Sequence, residues 1–263
     1  MGNTEIALSL RGASRKIINR IKKEAYIMSI AENVAKIKED IRAAALAAGR
    51  DPDSILLCAA TKMNDADRVR EAIAAGVDCC GENRVQELTQ KLSENAYEGV
   101  PVHFIGHLQT NKVRQVVGKV DIIQSVDRMK LLVAIDNEAA AQGIVQDILL
   151  QINIGREPQK GGFLPEELPQ LIEQIPEFPH IRVRGLMAIP PVCQKEGDND
   201  KFFQKIYEFG VDIREKTSHN VLVDILSMGM SDDYASAITC GSTMIRVGTA
   251  IFGARNYDQP HHT

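Results

Sequence analysis

From residue 54 onward the sequence switches repeatedly between two hydrophobic periods, and this alternation limits the fold more than any other feature. Short apolar, β-branched runs occur at 55–61, 77–80, 102–105, 121–125, 148–154, 183–189, 222–226 and 244–247. Helical patterns fill 66–75, 83–96, 110–117, 128–142, 165–175, 199–217 and 232–240 between them. Apolar runs bounded by turn residues suit strands buried on both faces, as in a parallel sheet covered by helices. Gly76 and Gly118 stand where a helix-ending glycine hands the chain to the next strand. Eight strands with seven intervening helices predict an α/β fold, a (β/α)8 TIM-type barrel, with a doubly wound open sheet as the alternative.

One more helix precedes the first strand. Ser29 with Glu32 three residues on is a capping-box pattern. Ile30, Val34, Ile37, Ile41 and Ala45 follow at helical spacing, ending at Gly49 before Asp51-Pro52. No Pro/Ser-rich linker divides the chain, so a single domain is predicted over 28–257, with a tail at 258–263. Residues 1–27 are an extension, frayed or partly helical, carrying Arg11, Arg15, Lys16, Arg20, Lys22 and Lys23 against Glu5 and Glu24. The extension lacks the apolar centre and small-residue cleavage site of a secretory signal.

Composition removes several function classes. The net charge is -4, and the extension contributes +4, leaving -8 for the rest, which argues against nucleic acid as the main partner. No stretch approaches the ~20 apolar residues of a membrane span. The five cysteines include no CxxC pair, so no zinc site is predicted. An odd count without a signal peptide points to a reducing, cytoplasmic location with free thiols.

In a parallel barrel the loops at the strand carboxyl ends build the site. Lys62 immediately follows the first run, and partial desolvation at a barrel mouth favours its neutral amine. A neutral amine is the nucleophile that forms a Schiff base with an aldehyde. In the last two loops Gly229 and Gly248 let backbone N–H groups approach an anion, and Ser227, Ser231 and Thr249 offer hydroxyls. Ser231-Asp232-Asp233 also reads as a helix N-cap. An aldehyde-seeking lysine facing a phosphate cradle suggests pyridoxal 5′-phosphate (PLP). Lys112, Arg114 and Lys119 form a basic patch that reads as a solvated face.

Six segments carry a resemblance: AATK ending at Lys62, GENRVQEL from Gly81, HFIGHLQTNK from His103, GLMAIP from Gly185, SMGMSDDY from Ser227 and IRVGTAIFGAR from Ile245. In this order they resemble the pyridoxal phosphate homeostasis protein family, whose barrel is similar to the amino-terminal domain of alanine racemase. The resemblance implies an internal aldimine on Lys62, Arg246 facing the pyridine nitrogen, and phosphate binding by Ser227, Gly248 and Thr249. It places Asn83 beside the ring oxygen. The sequence departs from the family at Met63-Asn64, where Thr-Lys-Pro is usual, and at Arg84, where Tyr is common.

A guanidinium presents only donors and does not readily give up a proton. Arg246 opposite the ring nitrogen would keep that nitrogen unprotonated and weaken the cofactor as an electron sink. The sequence therefore predicts a carrier in vitamin B6 homeostasis, with no catalytic or metal residues, rather than an enzyme. The rival is a small amino-acid racemase, which needs a second acid/base on the opposite face. Tyr234 is the nearest candidate and reads as a surface or packing residue. His103 reads as a core histidine, and His107 as a group titrating near neutrality. A Schiff-base aldolase acting on a sugar phosphate is a third reading. Without the racemase β domain, the barrel leans towards a monomer, with PLP-acceptor enzymes as transient partners.

Overall fold

The computed structural model describes residues 28–192, 195, 197–215 and 220–253. The predicted extension 1–27 and tail 258–263 lie outside them. Eight parallel strands form a closed barrel in sequence order: β1 (Leu56–Ala60), β2 (Cys79–Glu82), β3 (Val102–Phe104), β4 (Ile122–Val126), β5 (Gln146–Ile152), β6 (Ile181–Ala188), β7 (Val221–Ser227) and β8 (Met244–Val247). Closure comes from β8 pairing with β1, with Leu56 opposite Met244 and Cys58 opposite Arg246. The open-sheet alternative is thereby excluded.

The helix preceding β1, α1 (Ile30–Ala47), carries the expected capping box: Glu32 N donates to Ser29 Oγ (3.2 Å) and Ser29 N to Glu32 Oε2 (2.8 Å). Its buried residues are Ile30, Val34, Ile37, Ile41 and Ala45, one stripe at helical spacing. The helix packs on the segments Ala66–Ala74, Tyr234–Thr239 and Thr249–Phe252, which flank β8 and β1 in the chain. Asn33 Nδ2 donates to Ile251 O (2.9 Å), and the neighbouring Arg50 Nη1 donates to Ile238 O and Ser242 O.

The outer layer continues with α2 (Ala66–Ala74), α3 (Val85–Ser93), α4 (Met129–Gln142), α5 (Leu168–Gln174), α6 (Asp200–Arg214), α7 (Tyr234–Thr239) and α8 (Thr249–Phe252). Two expected helices differ. The predicted helix at 110–117 is a 3-10 segment, Thr110–Gln115, and that at 165–175 begins in a 3-10 turn, Pro165–Glu167. Val113, Val116 and Val117 are buried, so the 110–117 pattern correctly marked a covering segment but not its helix type. β-Branched residues favour an α-helix only weakly.

The interior is layered. Cys58, Cys79, Ile122, Leu149, Met187, Ile225 and Met244 form an inward-facing apolar cluster distinct from the larger core between sheet and helices. Strand side chains alternate between faces, so Ala60 and Lys62, Gly81 and Asn83, Gln124, Ser227, and Arg246 continue the inward rows towards the carboxyl-terminal mouth.

Candidate functional site

Lys62 is the second residue after β1, following Thr61, and is half-buried. Both neighbours are anchored. Thr61 N donates to Gly81 O (2.9 Å), and Thr61 Oγ1 to Glu82 Oε2 (3.0 Å). Thr61 O accepts from Lys91 Nζ (2.8 Å). On the other side Met63 N donates to Glu87 Oε2 (2.6 Å), and Lys62 O accepts from Asn64 Nδ2 (3.1 Å). Met63 holds φ +60, a left-handed conformation that proline's ring forbids and most L residues avoid. The departure from the family pattern at Met63-Asn64 thus falls on a strained, firmly tethered turn.

Behind that turn, Lys91 Nζ and Glu82 Oε2 form a buried ion pair at 2.6 Å. Tyr97 OH donates to the same carboxylate oxygen (3.3 Å), and burial holds the Tyr97 phenol well above its ordinary pKa. Glu82 Oε1 accepts from Asn83 N (2.7 Å). Sequence reasoning missed the Glu82–Lys91 pair; the i, i+9 spacing carries no periodic signal. The Asn83 side chain ends in a buried Oδ1 with no partner among the described residues. Gly106 lies so close that a Cβ there would sit 2.0 Å from Asn83 O, so only glycine allows the two loops to meet.

Arg246 is buried, 5% exposed. Its Nη1 donates to Ser227 O (2.7 Å) and Ser227 Oγ (2.6 Å), and its Nη2 to Ala188 O (2.9 Å). No carboxylate pairs with it among the described residues, and desolvation lowers its pKa to about 10. The guanidinium therefore stays charged at neutral pH; its hydrogen-bond partners among the described residues are all neutral and leave its Nε hydrogen and one Nη2 hydrogen unused. Asp233 offsets this charge only through space, and an interior cation without a bonded carboxylate is costly.

Ser227 is fully buried, and its hydroxyl donates to Gln124 Oε1 (2.7 Å) while accepting from Arg246. The hydroxyl is spent within the protein, so Ser227 serves Arg246 rather than standing open to the last loops. Gly248 and Thr249 open α8, where first-turn N–H groups lack intrahelical acceptors. Gly248 has φ -118, and a Cβ there would meet only Ala60, at 3.4 Å. The backbone does not demand glycine at this position. Gly229, at φ +93 with Ala237 Cβ 2.6 Å from its own hypothetical Cβ, does require it. The expected N-cap at Ser231 is corrected: α7 starts at Tyr234, and Asp233 Oδ1 accepts from Met230 N (2.7 Å), closing a turn around Ser231. Asp233 occupies the N-cap position, and its side chain turns back to Met230 N instead of capping the helix.

Tyr234 faces away from the mouth: its OH donates to Asp40 Oδ2 on α1 (3.0 Å), and burial raises its pKa to about 12. His107 is exposed, with Nδ1 3.2 Å from Asp127 Oδ2. His103 is the core histidine that the apolar strand implied, its pKa lowered by burial to about 4. The fold also brings Cys58, Cys79 and His103 donor atoms within 4.8 Å of one another, which chain spacing did not reveal. His103 Nδ1 is already engaged by Gln124 Nε2 (2.8 Å). Hydrogen bonding with Cys58, then burial, raises the Cys79 pKa well above normal. Cys79 is thus a protonated thiol packed as a small apolar group.

The observations fit a phosphorylated aldehyde on a heteroaromatic ring. A lysine on a tethered turn, a buried cation bonded only to neutral groups, an orphan acceptor and a glycine-opened helix start all lie at or after strand carboxyl ends at the barrel mouth. The class of fold is equally defined: residues 28–256 match the family model for alanine racemase, N-terminal domain. A solved alanine racemase from Clostridium difficile 630 shares this fold with a TM-score of 0.61 at 17% identity, covering 86% of this chain and 58% of that chain. Much closer in sequence is the pyridoxal phosphate homeostasis protein of Pseudomonas aeruginosa, 42% identical over 232 residues, 88% of this chain and 98% of that protein. PipY of Synechococcus elongatus PCC7942, solved with PLP bound, is 33% identical with a TM-score of 0.74, over 86% of this chain and 100% of that chain. The chain belongs to the pyridoxal phosphate homeostasis protein family.

Proposed function

We propose that this barrel holds PLP on Lys62 and keeps it available within the cytoplasm, without catalytic turnover. The observation that carries the reading is Arg246: a buried guanidinium with neutral partners and two unused N–H hydrogens at the mouth entered by Lys62. Homologues named for pyridoxal phosphate homeostasis, and the PLP-bound PipY structure, support it.

When bound, PLP supplies an aldehyde and an electron-withdrawing ring. Lys62 Nζ would hold the aldehyde carbon as the amine nucleophile, water being the leaving group. Arg246 would donate to the ring nitrogen and bring no proton to release there. Asn83 would serve the ring oxygen. Gly248 and Thr249 would hold the phosphate, Gly248 presenting no Cβ in its way. Ser227, assigned to phosphate by resemblance, supports Arg246 with its hydroxyl instead. A ring nitrogen kept unprotonated stabilises carbanions poorly, which suits retention and release. The Tyr234 hydroxyl is bonded to Asp40 on the outer layer, so it does not supply the second acid/base of a racemase.

No helix among the described residues is long and apolar enough to cross a membrane. The free thiols Cys58, Cys79, Cys80 and Cys240 suit a reducing compartment. A monomer that passes PLP to acceptor enzymes completes the reading; light scattering tests the first part. The central test is borohydride reduction of purified protein followed by peptide mass spectrometry. The expected result is one pyridoxyl adduct, on Lys62, absent from Lys62→Ala. An unchanged visible spectrum in Lys62→Ala would sink the assignment. Sustained, Lys62-dependent conversion of L-amino acids to D-isomers would replace it with the racemase.

A further inference from the structure

Four buried polar side chains are linked across the barrel interior above its apolar layer: His103, Gln124, Ser227 and Arg246. Barrel interiors are ordinarily filled by branched apolar residues, and a buried polar chain is tolerable only when every member is satisfied. The hydrogen bonds run without a break. Gln124 Nε2 contacts His103 Nδ1 (2.8 Å), Ser227 Oγ contacts Gln124 Oε1 (2.7 Å), and Arg246 Nη1 contacts Ser227 Oγ (2.6 Å). Gln124 Nε2 also faces Met244 Sδ at 3.1 Å.

We propose that Gln124 and His103 are positioning residues that fix, through Ser227, the direction in which Arg246 presents its unused N–H hydrogens to the ring nitrogen of the bound cofactor. The inference rests on the PLP reading above. Its logic starts from the one residue whose hydrogens cannot be reassigned. Arg246 only donates, so Ser227 Oγ must accept from it. The serine then has a single hydrogen left, and the group facing it is the Gln124 amide. Were the amide turned with Nε2 towards Ser227, that hydroxyl would receive two donors and its own hydrogen would be buried without an acceptor. Oε1 therefore faces Ser227, Nε2 faces His103, and Nδ1 of His103 is an unprotonated acceptor, leaving any ring hydrogen on Nε2. Burial keeps that imidazole neutral, with a pKa of about 4. Cys79 Sγ also faces its Nδ1 (3.8 Å), and the hydrogens linking Arg246, Ser227, Gln124 and His103 Nδ1 have one arrangement, which fixes the guanidinium.

The test uses the full-length chain reconstituted with PLP. Wild type, Gln124→Leu and Met244→Leu are compared by pyridoxyl-Lys62 yield after borohydride and by pH titration of the visible absorption. The expected result is equal Lys62 labelling in all three. The titration midpoint should move by about half a pH unit or more in Gln124→Leu, with none in Met244→Leu. Equal labelling with coincident midpoints in wild type and Gln124→Leu overturns the relay. Absence of PLP from the wild type overturns the underlying PLP reading instead. If Gln124→Leu does not fold, histidine 15N spectra of the wild type decide: a proton on Nδ1 of His103 refutes the proposed direction, and a bare Nδ1 upholds it.

Discussion

At the amino-terminal end of the barrel, Arg182 Nε and Nη2 grip the two oxygens of Asp147 at 2.6 and 2.9 Å. Arg184 Nη1 reaches the same carboxylate at 2.7 Å and continues to Asp224. Hydrogen bonds to these carboxylates raise the pKa of both guanidinium groups. At the carboxyl-terminal end Arg246 has two carbonyls and a hydroxyl, and desolvation lowers its pKa to about 10. The same side chain is paired with carboxylates at the base; at the mouth its hydrogen-bond partners among the described residues are all neutral, with Asp233 acting only through space. The contrast follows the division of stability and function in parallel barrels.

Between the two ends lies His103, and its titration sharpens the contrast. Its ordinary pKa of 6.5 falls to about 4 in the fold, mainly through burial. Below pH 6.5 the unfolded chain therefore binds a proton that the folded chain refuses. Stability from this group is full above about pH 6.5 and drains away as pH falls to about 4, by about 3 kcal/mol in total. Urea unfolding of wild type and His103→Gln across this window measures it. The wild-type curve should be the steeper; parallel curves would show that the interior is wetter than its packing implies.

Asp147→Asn strikes the base directly. Both arginines lose a shared carboxylate that is 11% exposed, which costs about 2 kcal/mol of stability. The mouth should not notice: pyridoxyl-Lys62 yield stays at the wild-type level. A loss of cofactor at unchanged urea midpoint would erase the functional distinction between the two ends.

Much of this geometry was legible beforehand, for identifiable reasons. The eight strands and the α1 stripe announce themselves because burial imposes a period on the chain. Lys62, Arg246 and Gly248 stood out because they follow or end apolar runs. Closure of β8 onto β1 is a long-range pairing that no local pattern encodes. Gln124 was passed over because a single amide in an apolar strand gives no periodic signal, and its partners, Ser227 and His103, are distant in sequence. Ser231 misled because a local capping pattern looks the same whether the cap sits there or two residues later.

The smallest expected effect lies beside the lysine. Met63 keeps φ +60 because its N–H is tied to Glu87 Oε2 and the preceding Thr61 carbonyl to Lys91. A non-glycine residue in this conformation costs roughly 1–2 kcal/mol, and glycine returns part of that gain as unfolded-state entropy. Met63→Gly should therefore stabilise the fold by about 0.5–1 kcal/mol in urea. The cost should appear at the mouth, because a glycine after Lys62 no longer prefers one turn, and the amine samples more directions. Slower pyridoxyl labelling of Lys62, with a raised unfolding midpoint, is the expected pair of results. Greater stability with unchanged labelling would mean that Glu87 and Lys91 alone hold the lysine, and that the turn's strain belongs to the scaffold, as the ion pairs at the base do.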